Sequence, residues 1–267
     1  MAHWQKPSSN IEQRRQDWLN SVQQQVATKL ESALQPSSNS QSLTASVSSI
    51  HELANRNIEM IENNAAEMRR KGQKLPQIAC KKGCDICCFI RVKASIPEVL
   101  HIADHIRSTF TDAEIENLKA KIDANLAAFE GLTGKDRLNK MVPCPLLEDH
   151  SCSVHSVRPV PCRMHHSTDL EVCKQAFDQP DKVQIPHFLD VDTVVHPIIH
   201  GIRTAVRSAN LKDPGLVLAR ALKIAMEDPQ AREKWLNGED LFAPAVDKEL
   251  QQLEEFEMRR RMIQLKR

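Results

Sequence analysis

Apolar residues recur at intervals of three and four along most of the chain, and that spacing predicts helices. Residues 10–35 carry Ile11, Trp18, Leu19, Val22, Val26, Leu30 and Leu34 on one face, with Gln and charged residues on the other. Pro36 ends the run, since proline cannot continue a helix. From Pro36 to Ser49 the chain is rich in Ser, Asn and Gln and reads as a linker. A second helical pattern over residues 46–71 runs through Val47, Ile50, Leu53, Ile58, Ile61, Ala65 and Met68, and Gly72 and Pro76 close it.

Residues 89–94 alternate loosely and predict a short strand or an extended lead-out. Pro97 suits a helix start, and Val99, Leu100, Ile102, Ala103 and Ile106 supply its apolar face. Thr111-Asp112-Ala113-Glu114 has the form of a capping box opening a helix with Ile115, Leu118, Ile122 and Leu126, closed by Gly131 and Gly134. Pro143, Pro145, Pro159 and Pro161 forbid a long helix across 142–173, so irregular backbone is expected there. Val194–Ser208 and Pro214–Met226 predict further helices, with Trp235, Leu236, Leu241 and Phe242 closing the core. The tail over 246–267 reads as a charged helix with Leu250, Leu253, Phe256 and Ile263, in which Glu254, Glu255 and Glu257 precede Arg259, Arg260 and Arg261 as the helix dipole prefers.

The expected fold is therefore mainly α, with helices packed around an irregular cysteine-rich metal-binding core and few or no strands. Three parts follow: residues 1–45 as an N-terminal helix and Ser/Gln-rich linker, 46–245 as a cysteine-rich helical domain, and 246–267 as a charged C-terminal helix. The terminal helices are candidate surfaces for a protein partner.

Composition narrows the function classes. A hydrophobic fraction of 41% over 267 residues supports a core. A net charge of +1 gives no whole-chain basic footprint, so neither nucleic acid nor an anionic membrane is expected as a partner. Seven Gly and no Tyr disfavour Gly-rich nucleotide folds and hairpin-rich β architectures. No run of 18 apolar residues occurs, and the polar start with Glu12, Arg14, Arg15 and Asp17 lacks the apolar stretch of a secretory signal. A cytoplasmic location follows, where thiols bind metal or do redox chemistry instead of pairing as disulfides.

The chemistry gathers in two groups of four cysteines: Cys80, Cys84, Cys87 and Cys88, then Cys144, Cys152, Cys162 and Cys173. Thiolates are soft donors that suit zinc and iron over calcium or magnesium. Gly83 lets the first loop turn back on itself, and Lys81 and Lys82 are expected to lower the neighbouring thiol pKa values. Cys87 and Cys88 are adjacent, so their side chains diverge and fit two metals, or one metal with a spare thiol, better than one tetrahedral ion. Two solutions stay open: two four-thiolate zinc sites, or one iron–sulfur cluster with a second ion or free redox thiols. A single cysteine is often a small buried core residue, but four within nine positions are not. The Cys80-x3-Cys84-x2-Cys87 spacing also matches the iron–sulfur loop of radical-SAM enzymes, although this chain lacks their repeated βα units and Gly-rich segment.

Cys-x3-Cys-x2-Cys-Cys, Cys144-Pro145-Leu146-Leu147, Cys152-Ser153-Val154-His155 and Arg158-Pro159-x-x-Cys162-Arg163 together resemble the bacterial zinc- or iron-chelating CxxxCxxCC domain family, over about residues 78–175. The resemblance implies zinc or iron as cofactor, an iron–sulfur cluster included, with all eight cysteines as the metal ligands. A related domain occurs in flagellin lysine methylases, which keeps an iron–sulfur-linked enzyme open by analogy. Family members usually carry Tyr where this chain has His155 and an aromatic near the place of His165, whereas this chain has no Tyr; His155 is then an extra candidate ligand, and one of His165 and His166 a packing substitute. Arg158 and Arg163 are expected to donate to thiolate sulfurs or backbone carbonyls.

No Ser-His-Asp order, phosphate loop or carboxylate pair stands out. His187, His196 and His200 read as ordinary helix or loop histidines, since Pro197 separates the last two and no glutamate completes a metalloprotease motif. Three functions are carried forward: a cytosolic zinc- or iron-binding protein with catalysis unassigned, an iron or iron–sulfur dependent redox or modifying enzyme, and a zinc-stapled protein-interaction adaptor.

Overall fold

The computed structural model describes residues 9–180, 182–249 and 251–252. The chain forms helices α1 (Ser9–Glu31), α2 (Ser40–Arg70), α3 (Ile96–Thr109), α4 (Asp112–Ala127), α5 (Gly134–Asn139), α6 (Val160–Arg163), α7 (Leu170–Asp178), α8 (Leu189–Ser208), α9 (Leu218–Glu227) and α10 (Ala231–Leu236). Among the described residues, strands are confined to two antiparallel pairs: β1 (Lys93–Ala94) with β4 (Leu216–Val217), and β2 (Leu147–Glu148) with β3 (Ser151–Cys152). The mainly α expectation holds. Among the described residues no helix is long and apolar enough to cross a membrane.

The N-terminal helix packs on the body of the chain. Val22, Val26, Ala27 and Leu30 are buried in the main core beside Val194, Val195, Ile198 and Ile202 of α8. A Cβ on Gly201 would lie 2.6 Å from the Gln23 carbonyl oxygen and 2.6 Å from Val26 Cβ, so the two helices meet backbone to backbone there. The apolar face of α1 is thus used within the molecule.

Several boundaries differ from the expectation. Helix α2 starts at Ser40, because the Asn39 side chain accepts the Ser42 N–H at 2.9 Å and Leu43 is buried. The expected 36–49 linker therefore shrinks to a short turn: a Ser-rich first turn looks like a spacer when only its exposed face is considered. Helix α8 begins before Val194 and runs through Pro197. Proline inside a helix costs about 3 kcal/mol. Burying Val191, Val194, Val195, Ile198 and Ile202 returns about 1.5–3 kcal/mol per side chain, which exceeds it. Leu216 and Val217, expected to open a helix, pair with Ala94 and Lys93, and α9 starts after them.

Helices α3 and α4 fall where the sequence put them, and the Thr111–Glu114 capping box is present. Trp235, Leu236 and Phe242 are buried as core-closing residues. Residues beyond 252, including Leu253, Phe256, Ile263 and the Glu/Arg runs of the expected C-terminal helix, lie outside the described residues, as does Leu250. What is described of that segment docks by charge. Asp247 accepts from Arg91 Nη1 at 3.0 Å and from Arg137 Nη2 at 2.7 Å, and Gly134 N–H bonds to Glu249.

Candidate metal centre

Seven of the eight cysteines lie in the connections between α2 and α3 and between α5 and α7, with Cys162 on the short α6, whereas Cys173 stands inside α7. In the first loop, Cys84 N–H bonds to the Lys81 carbonyl at 3.0 Å across a turn in which Gly83 has φ +85°, a backbone that L side chains rarely adopt. A 3-10 turn over Ile86–Phe89 then carries Cys87 and Cys88. In the second group, the hairpin turn at Asp149 and His150 has φ of 45° and 60°, the pattern that matches strand twist in a two-residue hairpin.

Backbone hydrogen bonds join the two groups. Ala79 N–H bonds to the Ser167 carbonyl at 2.8 Å, and Cys144 N–H to the Cys88 carbonyl at 2.7 Å. His150 Nδ1 lies 2.8 Å from Asp85 Oδ2, so the hairpin tip reaches the first loop. Phe89 meets Phe177 of α7 edge to face, with ring centroids 5.0 Å apart.

All eight cysteines are free thiols. Cys80 is the exposed one, Cys173 is buried, and the other six are half-buried. Cys80 Sγ accepts the Ser167 N–H at 3.3 Å. The expectation that Lys81 and Lys82 depress the thiol pKa values is corrected. Burial pushes Cys80, Cys152 and Cys162 up, and pushes Cys144 up to about 11. Cys87 is raised first by its hydrogen bond with Cys88 and then by burial. Desolvation and the mutual proximity of thiols outweigh two exposed ammonium groups. Thiols raised in this way hold their protons until a cation displaces them, so metal uptake by Cys80, Cys87, Cys144, Cys152 and Cys162 would release protons.

Arg163, expected to donate to thiolate sulfurs or backbone carbonyls, is 2% exposed and donates to the Ser156 carbonyl at 2.8 Å, the Arg158 carbonyl at 3.0 Å and Asn55 Oδ1 at 2.7 Å. It ties the turn bearing Cys162 to α2. Burial lowers its pKa to about 10, which leaves it charged at neutral pH. Arg158 lies in the field of Cys162, Cys152, Cys87 and Cys88 and sits 2.9 Å from His155 Nδ1. That contact occupies a ring nitrogen of His155, the candidate extra ligand. His165 and His187 face each other at 6.2 Å between ring centroids, and His166 Nε2 lies 2.8 Å from the Arg163 carbonyl. His196 and His200 are exposed on α8, away from the cysteine segments in sequence and on the solvent side of the helix.

Sequence reasoning missed Glu98 and His51. Glu98 is 2% exposed. It accepts Ser95 N–H at 3.0 Å, Ser95 Oγ–H at 2.7 Å and Val160 N–H at 2.6 Å, and lies 3.5 Å from His51 Nε2. Burial would raise the Glu98 carboxyl, but His51 and the Val160 and Ser95 donors outweigh it and hold the carboxyl below the usual carboxylate range, while burial lowers the His51 pKa. The signal for Glu98 was present as Ser95-x-x-Glu98, a second capping box; its reach to Val160 had no local signal.

A cleft of about 250 Å³ opens beside Cys80, lined by Glu62, Asn63, Arg69, Gln77 and Phe188 among others. Among the described residues, no three Cys, His, Asp or Glu side chains converge in a geometry that would hold an ion as they stand. The donor chemistry fits a soft metal nonetheless: free thiols from segments about 60–90 positions apart are drawn together by backbone hydrogen bonds, with no disulfide competing for them.

Fold and site define a helical protein with a strand-poor, thiol-rich segment set between its helices. Residues 79–183 match the family model described as "Putative zinc- or iron-chelating domain". No curated protein and no solved structure matches the chain.

Proposed function

We propose that the protein binds zinc or iron through the thiols of Cys80, Cys84, Cys87, Cys88, Cys144, Cys152, Cys162 and Cys173. The observation that carries this reading is the backbone stitching of the two cysteine groups, at Ala79–Ser167 and Cys88–Cys144. A chain that needed these thiols only as small core residues would have no reason to gather seven of them short of full burial. The match of residues 79–183 to a zinc- or iron-chelating family supports the same reading.

Anaerobic purification followed by metal and sulfide analysis tests it. Iron with labile sulfide and a broad absorption near roughly 400 nm supports a cluster. Colourless protein with bound zinc supports thiolate zinc sites. Protein free of both metals after anaerobic isolation, and unable to take up either, sinks the proposal.

A second reading, an iron or iron–sulfur dependent redox or modifying enzyme, is favoured by one feature: the exposed thiol of Cys80 borders a polar cleft. Without iron in the isolated protein, that reading falls.

A further inference from the structure

The cleft beside Cys80 holds about 250 Å³, below the roughly 300–1,000 Å³ of sites for drug-sized ligands. It has room for a small molecule and not for a folded segment.

One wall is the C-terminal half of α2. Glu62, Ala65, Ala66 and Arg69 stand at i, i+3, i+4 and i+7, which places them on one face of the helix. The two alanines keep that face low between its charged ends. A rise of about 1.5 Å per residue sets those ends about 10 Å apart along the axis, too far to pair with each other. The other wall is the segment that leads into Cys80, and Arg69 Nη1 ties it to α2 by donating to the Pro76 carbonyl at 2.8 Å. That bond fixes the guanidinium while leaving it further N–H donors. Glu62 lies 3.5 Å from His166 Nδ1 and keeps 45% of its side chain exposed, so its carboxylate is open to a ligand.

Asn63 and Gln77 line the same cleft. Each carboxamide carries N–H donors and a carbonyl acceptor, the complement of a peptide group. Buried Phe188 adds an apolar patch.

We infer that this cleft binds a small zwitterion of dipeptide size, with its ammonium at Glu62, its carboxylate at Arg69 and its amide within reach of Asn63 and Gln77. An extended dipeptide is about 7 Å long, and a hydrogen bond of about 3 Å at each end gives it a reach of about 13 Å. The long Glu62 and Arg69 side chains can match that reach, whereas a free amino acid is too short for both. Taking the ligand for a substrate rests on the redox- or modifying-enzyme reading above, which sets it beside the Cys80 thiol; its binding does not.

The test titrates the full chain, as isolated, with alanylalanine, N-acetyl-alanylalanine and alanylalanine amide, read from the NMR signals of each compound. Acetylation removes the ammonium and amidation removes the carboxylate. Alanylalanine is expected to bind about tenfold more tightly than either analogue, the scale of one charge-assisted hydrogen bond. Arg69→Gln is expected to lose the preference over the amide and keep the preference over the acetylated compound, and Glu62→Gln to do the reverse, both with unchanged circular dichroism. The analogue series on the wild type needs no variant. Alanylalanine that binds the wild type no better than its analogues, folded variants that keep both preferences, or no saturable binding overturns the inference. Metal analysis of the same samples separates it from the metal reading: dipeptide binding by protein that takes up no metal leaves the cleft site standing and removes the metal, whereas metal without dipeptide binding overturns the cleft site alone.

Discussion

The carboxylate of Glu98, on the first turn of α3, accepts the backbone N–H of Val160 at 2.6 Å, two residues before Cys162. One buried side chain thus caps its own helix through Ser95 and holds the turn on which a candidate ligand sits. His51 of α2 lies on its remaining side, and Arg163 pins the same turn to Asn55 of α2. The irregular segment is anchored to the helical body by buried polar groups.

Glu98→Gln should destabilise the protein by about 3 kcal/mol, because the amide leaves buried donors without the charge they were arranged around. Urea unfolding of wild type and variant checks this. A difference under about 0.5 kcal/mol, the scale of an ordinary surface change, would show that Glu98 does not hold the turn.

Gly201→Ala should destabilise despite alanine's better helix propensity. Propensity favours Ala by about 1 kcal/mol. The added Cβ, however, would lie 2.6 Å from the Gln23 carbonyl oxygen, and forcing α1 off α8 costs about 1–3 kcal/mol. The steric term is expected to win, lowering the melting temperature. An unchanged or higher value means that α1 is loosely held.

Asp247→Asn should cost about 3 kcal/mol or more, since it leaves Arg91 and Arg137, both largely buried, facing each other without their shared carboxylate. Thermal unfolding reads the loss. Replacing Arg91 as well should recover part of it, as the surviving charge then has less repulsion to meet.

Acid should act differently on wild type and on His101→Gln. Burial lowers the His101 pKa from 6.5 to about 4, so the unfolded chain binds the proton first. The contribution of His101 is intact above about pH 6.5 and lost as pH falls toward 4, worth about 3 kcal/mol over that window. Buried Asp213, pushed up to about 6, works in the opposite sense, so the total stability curve is flattened. The difference between wild type and variant isolates the histidine: relative to wild type, the variant should gain stability as pH falls. A pH-independent difference would place the imidazole in water.

Metal removal should loosen the protein unevenly. Residues 140–169 hold one four-residue helix, one three-residue 3-10 turn and one two-residue strand pair, whereas α1, α2 and α8 share the main core. After chelation, amide exchange is expected to rise over residues 79–90 and 140–175 while α1 and α8 stay protected. Uniform loss of protection, or none, would separate metal from local order.

Much of the candidate site was legible in the sequence because thiol spacing is a local property. Cys80 to Cys88 stand within one short loop, and no tertiary contact is needed to notice them. The same holds for α4, whose Thr111–Glu114 box is formed by neighbours in the chain. Where local rules misled, a longer-range interaction decided: core packing carried α8 through Pro197, and pairing with Lys93–Ala94 drew Leu216–Val217 out of the expected helix. The thiol pKa directions were misjudged for a related reason. Lys81 and Lys82 are next to Cys80 in sequence, but burial is a property of the folded chain.

The sequence by itself determined a helical body, the places where proline breaks it, and the eight thiols with their soft-donor chemistry. Only the tertiary structure decided which thiols are neighbours, that α1 belongs to the main core, and that Glu98 and Arg163 hold the turn of Cys162. Periodicity and spacing are written in the order of residues. Hydrogen bonds from Val160 to Glu98, or from Cys144 to Cys88, join positions about 60 apart and leave no mark on the local pattern.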